Sequence, residues 1–418
     1  MNLPPLTLPE PRIARFEKLA YGMFIHWGLY SLLGTGEWFR HLGTMPHEEY
    51  DALITKFTAE DFDARAIAKL AREAGMRYIV LTTRHHDGFS LYDTRGLSKH
   101  DTLHSPAGRD LVAEFVDGCR AEGIVPFLYH TTLDWRWKSH TCSAEDFSKY
   151  LDYLNASVEI LCTHYGEIGG IWFDGHWSRK DLDWQEDRLY KMIRRLQPEA
   201  LIINNSGLAD PGKPGHRELD TVTFEQGLPK AIDHRGKPKY LAAEMCQTFN
   251  SHWGIGAHDY NYLSPAQIIE TLSLARGAGA NYLLNVGPTG SGSIPAYEAI
   301  ALQRAGKWVA SHAEVVYGGK PVSCRCQGRD FVLESGGIFY YFAFDLQVTG
   351  HAQVSLGTGG AGPRAVKALP GTIQSASWMD NGESLHFIQD ADLTLIDLTG
   401  YPYGTNLVVR VVRIEAIS

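Results

Sequence analysis

Cysteine is scarce in this chain: 6 residues in 418. Cys119, Cys142, Cys162, Cys246, Cys324 and Cys326 show neither CxxC spacing nor the density of a disulfide framework. Cys324 and Cys326 alternate with Arg325 and should share one face of a strand, where a bridge between such neighbours would be strained. All six read as free thiols of a reducing compartment. Positive charge is also short, with 39 Lys and Arg against 48 Asp and Glu, a net charge of −9. No basic block could track a phosphate backbone, so nucleic acid is not an expected partner. Long apolar runs are missing too. Nothing reaches signal-peptide or bilayer-spanning length, so the expectation is a soluble, cytoplasmic protein without a membrane partner. Repeats and low-complexity stretches are absent.

What the chain does carry is aromatic surface: 10 Trp, 20 Tyr and 17 Phe beside 18 His. Composition alone favours a large core as the reason, and the functional alternative is an aromatic, hydrogen-bonding pocket of the kind that grips sugars.

Up to about residue 317, short apolar runs alternate with amphipathic segments. Eight runs are strand candidates: FIHWG (24–28), YIVLTTRHH (78–86), VPFLYH (125–130), GGIWFD (169–174), ALIINN (200–205), TVTFEQ (221–226), KYLAAE (239–244) and NYLLNVG (281–287). Residues 61–75 put Ala66, Ile67, Leu70, Ala71 and Ala74 on one stripe and end in glycine, as 109–123 do with Leu111, Val112, Phe115 and Cys119. Ser264-Pro265 opens a third helix, to about residue 276. Near-continuous apolar strands separated by helices predict a parallel sheet, and eight of them predict a distorted (β/α)8-like barrel over 1–317. No convincing helix lies between ALIINN and KYLAAE, so helices should be missing on that side. From 318 to 418 the texture changes to short β-prone runs (331–344, 352–357, 375–380, 385–389, 393–398 and 406–416), which predict an antiparallel β-sandwich.

Polar residues cluster where these strands end, the place where barrel enzymes keep their chemistry. Asp174 closes IWFDG with glycine behind it. A helix cap would explain a lone aspartate as well, but Trp172 on the same face favours a nucleophile or acid. In RHHDGF, strand alternation would send His85 and His86 to opposite faces, a poor arrangement for a metal. A turn at the strand end would instead let both meet one ligand's hydroxyls. Alternation in FIHWG sends His26 to the barrel mouth and Trp27 outward. Glu37 and Trp38 follow on the next loop, and Tyr129 and His130 end the third strand. The second carboxylate has three candidates: Glu225, Glu244 and Glu37.

Together FIHWG, EWF, RHHDGF, LDW, IWFDG, MCQTFNSHWG and NYLLNVGP resemble the α-L-fucosidases of glycoside hydrolase family 29, over roughly residues 15–317. The resemblance implies the barrel and the sandwich. It also implies retaining hydrolysis of terminal α-L-fucose from fucosylated glycans, with no metal and no organic cofactor. Asp174 falls on the family's nucleophile. Its sugar-binding positions fall on His26, Trp38, His85, His86, Tyr129 and Trp172, and Trp253 falls where an aromatic meets the C6 methyl that distinguishes fucose from galactose. The family's acid/base is a glutamate in a short Pro/Ala-Glu-Gln/Tyr segment, nearest here to TFEQ, so Glu225 precedes Glu244 for that role. Two positions depart from the family: Ser206 replaces the arginine after the fifth strand, and Ala243 replaces the tryptophan before Glu244. Competing readings are a fucose-binding protein without turnover, an exo-glycosidase for a related sugar such as galactose, and a metal hydrolase on His85, His86 and Asp174. Homo-oligomer formation is left open.

Overall fold

The computed structural model describes residues 4–206, 208, 210–348 and 361–417. Each of the eight apolar runs becomes a strand: β1 (Tyr21–Ile25), β2 (Tyr78–Arg84), β3 (Val125–Thr131), β4 (Gly170–Asp174), β5 (Leu201–Asn204), β6 (Thr221–Glu225), β7 (Ala242–Gln247) and β8 (Ala280–Val286). They form one sheet in the order β5-β4-β3-β2-β1-β8-β7-β6. Every residue of β1, β2 and β8 is buried, as a parallel sheet covered on both faces requires. Inward-facing Phe24, Tyr78, Val80, Phe127, Leu201, Ile203 and Leu283 fill the barrel, and Ile13 and Phe16 of helix Pro11–Glu17 pack onto them.

The helices begin where side chains can cap them. Asp63 accepts from the Ala66 N–H at the start of Ala64–Glu73, and Asp110 accepts from the Ala113 N–H at the start of Leu111–Ala121. Ser264 and Gln267 form a reciprocal capping box on Pro265–Gly277. Among the described residues no helix joins β5 to β6 or β6 to β7, the side on which helices were expected to be missing.

Strand limits shift by a few residues from the sequence reading. β1 stops at Ile25, so His26 and Trp27 lie just past the strand. β7 starts at Ala242 and runs on through Met245 and Cys246, which places Glu244 inside the strand rather than at its end. The run Met245-Cys246 is apolar and buried, and nothing in it stops the ladder.

Edge strands β5 and β6 are joined through Asp220. Its N–H donates to Ile202 O (3.0 Å), and its carboxylate accepts from the Ile202 N–H (2.9 Å). Arg12 (3.0 Å), Arg194 (2.5 Å) and Lys239 (3.0 Å) surround the same buried carboxylate. Burial pushes its pKa up, but the three cations pull harder and leave it below the ordinary aspartate value.

The chain divides into two compact units, Met1–Leu263 with Asn281–Gln303, and Ser264–Ala280 with Arg304–Ser418. The expected boundary at 317–318 thus falls inside the second unit. Arg276 of helix Pro265–Gly277 donates to Ala280 O, Val316 O and Gly319 O, and Trp308 donates to Val409 O, which ties these helical segments to the later strands. The second unit holds β9 (Lys320–Pro321), β10 (Arg325–Cys326), β11 (Phe331–Ser335), β12 (Ile338–Ala343), β13 (Gly362–Lys367), β14 (Thr372–Trp378), β15 (Phe387–Asp390), β16 (Leu393–Leu398) and β17 (Arg410–Ile417). They pair in two antiparallel sheets, β10-β13-β16-β15 and β14-β17-β12-β11-β9. Val332, Tyr341, Trp378 and Ile414 of one sheet share a core with Val366, Ile396 and Leu398 of the other. The run at 352–357 lies outside the described residues. Cys324 and Cys326 are free thiols with their sulfurs 3.9 Å apart.

Replacing Asp220 by Ala leaves three cations facing a buried gap, so Asp220→Ala should cost about 3 kcal/mol or more in chemical denaturation. Because its folded pKa is depressed, its contribution is complete above the ordinary aspartate pKa and is lost as pH falls through the lower folded value. An unchanged unfolding midpoint at neutral pH in Asp220→Ala would refute this.

Candidate active site

At the C-terminal end of the barrel, Asp174 closes β4 and Glu225 closes β6, and both line one pocket. Gly175 makes the turn after Asp174 possible. Its φ is +115°, and a Cβ there would lie 2.5 Å from the Leu133 nitrogen. Gln226, after Glu225, also has a positive φ of 57° and is tied to β7 through its N–H to Cys246 O (2.8 Å).

Asp174 is held as an anion. Trp177 donates to Oδ1 at 2.9 Å, Tyr129 donates to Oδ2 at 3.4 Å, and His86 Nε2 lies 3.4 Å from Oδ2. Burial would raise its pKa, yet the hydrogen bond and charge of His86, with Trp177 and His26, bring it below the ordinary value. Glu225 goes the other way. Burial first, then the charges of Asp174 and Glu37, push it up to about 7, against the hydrogen bonds of Asn205 and Trp253. The Asn205 amide nitrogen reaches both acids, 2.5 Å from Glu225 Oε2 and 3.5 Å from Asp174 Oδ1. Those two oxygens are therefore separated by no more than the two distances together, about 6 Å.

The histidines are neutral or tied to specific partners. Asn285 donates its amide to Trp253 O (2.7 Å), so its oxygen accepts from His26 Nδ1–H (2.7 Å). Burial drives the His26 pKa to about 3, and Nε2 is left as an acceptor. The Thr131 hydroxyl donates to Leu133 O (2.5 Å) and so accepts from His86 Nδ1–H (2.6 Å). His85, whose pKa burial and its two histidine neighbours push far down, stacks on Tyr129 and has a buried Nδ1 with no partner among the described residues. β2 ends at Arg84, and the turn beyond it brings His85 and His86 into the same pocket, ring centroids 4.2 Å apart. Arg84 anchors that turn through its buried pair with Asp134 (2.6 Å), and Trp135 N–H donates to His86 O (2.9 Å).

Trp38, Tyr129, Trp172 and Trp253 also line the pocket. Trp27 points away and stacks on Phe62 at 4.8 Å, the outward packing expected of it. Three residues are not where the sequence put them. His130 faces away from the pocket and meets Ser157 (2.8 Å), because alternation along β3 reserves the inward side for Tyr129. Glu37 does not line the pocket. Its Oε2 accepts from the backbone N–H groups of Trp253 (3.1 Å) and Gly254 (2.8 Å), fixing the loop that carries Trp253. Glu244 lies beneath the floor, accepting from Tyr78 OH (2.7 Å) and Trp172 Nε1–H (2.8 Å). Burial pushes its pKa up to about 7 as well, so a raised pKa cannot choose the acid, and position favours Glu225.

Sequence reasoning missed Asn205, Trp177 and Asn285. Asn285 continues the inward period of Asn281 and Leu283, and Asn205 ends the fifth apolar run, so both had a legible signal. Trp177 had none, because a short 3₁₀ turn (His176–Ser178) returns its indole to Asp174. Among the described residues no three His, Cys, Asp or Glu side chains converge as metal ligands, and no helix is long and apolar enough to cross a membrane.

Two carboxyls with opposed pKa shifts at the mouth of an α/β barrel, ringed by aromatic rings and imidazoles, define a glycoside hydrolase. The sequence profile of the α-L-fucosidase family matches residues 9–314, and the chain belongs to that family. It is 30% identical to α-L-fucosidase isoenzyme 1 from Paenibacillus thiaminolyticus, with a TM-score of 0.83 over 98% of this chain and 99% of that one. Tissue α-L-fucosidase from Homo sapiens is 26% identical over 344 residues, 75% of this chain and 70% of the human protein. An α-L-fucosidase from Bacteroides thetaiotaomicron shares the fold at 22% identity, with a TM-score of 0.81 over 100% and 98% of the two chains.

Removing Glu244 would take away the acceptor of the Tyr78 hydroxyl and of the Trp172 indole N–H. Glu244→Ala should lose about 2–5 kcal/mol of stability and lower turnover of activated and unactivated glycosides by the same factor. A loss confined to unactivated substrates would make Glu244 the proton donor instead.

Proposed function

We propose that the protein is a retaining exo-α-L-fucosidase that removes terminal α-L-fucose from glycans by double displacement. The observation that carries this reading is the carboxyl pair: Asp174 below the ordinary aspartate pKa and Glu225 near 7, both within reach of one amide. A distance of at most about 6 Å between these two oxygens is in keeping with the roughly 5–5.5 Å carboxyl separation of retaining enzymes. The Bacteroides thetaiotaomicron relative is described as trapped in a covalent intermediate with a fluorinated fucosyl fluoride, which supports the same course.

In the first step Asp174 attacks the anomeric carbon while Glu225 gives its proton to the departing glycosidic oxygen. Ester formation removes the Asp174 charge, one of the causes that hold the Glu225 pKa up, so Glu225 becomes a better base. It then takes a proton from the water that releases fucose. His26 Nε2, left as an acceptor by the bond from Nδ1–H to Asn285, suits a sugar hydroxyl, and His85 lines the same pocket. Phe24 and Trp253, ring centroids 5.8 Å apart, give the pocket an apolar wall that suits a 6-deoxy sugar.

Asp174→Gly should lower turnover by several orders of magnitude, with azide partly restoring it as the β-fucosyl azide; near wild-type rates without azide would remove Asp174 from the role. Glu225→Ala should retain much of its rate on an activated aryl fucoside, lose it on oligosaccharides and respond to azide. For the wild type, kcat/KM should fall above a pH near 7 as Glu225 ionises, and below the ordinary aspartate range as Asp174 is protonated. A profile still rising through pH 8 would contradict the Glu225 assignment.

A further inference from the structure

Asn205 occupies a position that catalysis by Asp174 and Glu225 does not by itself explain. It lies just past β5, 2% exposed, and its backbone N–H is fixed to Phe173 O at 2.8 Å. The Thr223 hydroxyl donates to its side-chain oxygen at 3.0 Å, which decides the orientation of the amide: oxygen toward Thr223, nitrogen toward the acids. Each of the two amide hydrogens then has a carboxyl to meet, Glu225 at 2.5 Å and Asp174 at 3.5 Å.

We propose that Asn205, oriented by Thr223, is a positioning residue of this reaction: it holds the two carboxyls at one spacing and tunes the proton donor without adding charge. The chemistry of the site leaves little alternative for a group in that place. A cation between the acids would stabilise both as carboxylates and leave no proton to donate. A third carboxylate would set three like charges in a buried pocket. A neutral double donor does neither. It favours the ionised form of Glu225 only by as much as one hydrogen bond allows, and so opposes the upward push of burial and of Asp174. Among the described residues, Glu37 from the loop after β1, Tyr129 from β3 and Cys246 from β7 are also electrically coupled to Glu225, and these three are not cations. Two donors oppose that push, the Asn205 amide and the Trp253 indole; Asn205 is the larger of the two and the one that also reaches Asp174.

The inference rests on the fucosidase reading, and one set of pH profiles on an aryl α-L-fucoside tests the two separately. Asn205→Ala removes the donor that favours the Glu225 carboxylate, so the basic limb of kcat/KM should move to higher pH by about one unit, with kcat/KM at the optimum falling roughly ten- to a hundredfold. Thr223→Val keeps the amide but frees it to turn, and should move the limb in the same direction by less. Thr223→Ser, which keeps the hydroxyl, should restore the wild-type limb. A merely structural role would lower the amplitude and leave the limb in place. If the normalised profiles of Asn205→Ala and Thr223→Val superimpose on that of the wild type, the proposal is wrong. Should Asn205→Ala not fold, the two Thr223 variants decide by the same criterion. Failure of the wild type to turn over the aryl fucoside would overturn the fucosidase reading itself, whereas turnover with an unmoved limb overturns only the role of Asn205.

Discussion

The site depends on keeping two carboxyls in a dry cup while allowing only one of them to be charged. Burial alone would protonate both. Asp174 escapes because Trp177, Tyr129 and His86 all face it, and Glu225 does not because its principal donor is a single neutral amide and its electrostatic neighbours are acidic. The asymmetry lies in the surroundings, since both residues end a strand of the same barrel.

A cup of this kind forces obligations on the residues beneath and behind it. His26 is held by Asn285, which is spent on Trp253; Trp253 sits on a loop whose backbone is held by Glu37; and Trp172 is held by Glu244. Each link pairs a polar group that would otherwise be buried at a cost of about 1–3 kcal/mol. Two of the acids in these links resemble catalytic residues by type, burial or raised pKa. They differ from Asp174 and Glu225 in what their oxygens already accept. Asp220 applies the same logic at the seam between β5 and β6, where three cations and one backbone N–H meet one buried carboxylate.

Much of this was readable in advance, and for identifiable reasons. A parallel strand buried on both faces has to be a near-continuous apolar run, so the eight strands could be counted. Asp174 stood out because an aspartate terminates such a run and glycine follows it. His26 and Trp27 could be sent to opposite sides because successive side chains diverge. Glu244 and His130 went astray for a related reason. β7 ends at Gln247, three residues past the glutamate taken as its last residue, and which of Tyr129 and His130 faces inward depends on the register of β3 against its neighbours.

By itself, then, the sequence determined the alternation of strands and helices, the bare side of the barrel, the change to short antiparallel strands and the residue types that gather at strand ends. Those are consequences of local period and of which side chains tolerate burial. Only the tertiary structure decided which carboxyl is charged, which is protonated and which is a support. That outcome turns on donors brought from distant parts of the chain: Asn205 and Trp177 to Glu225 and Asp174, Tyr78 and Trp172 to Glu244, and the backbone of Trp253 and Gly254 to Glu37. A carboxyl's pKa is set by burial and by partners within a few ångströms, and distances of that size exist only once the barrel has closed.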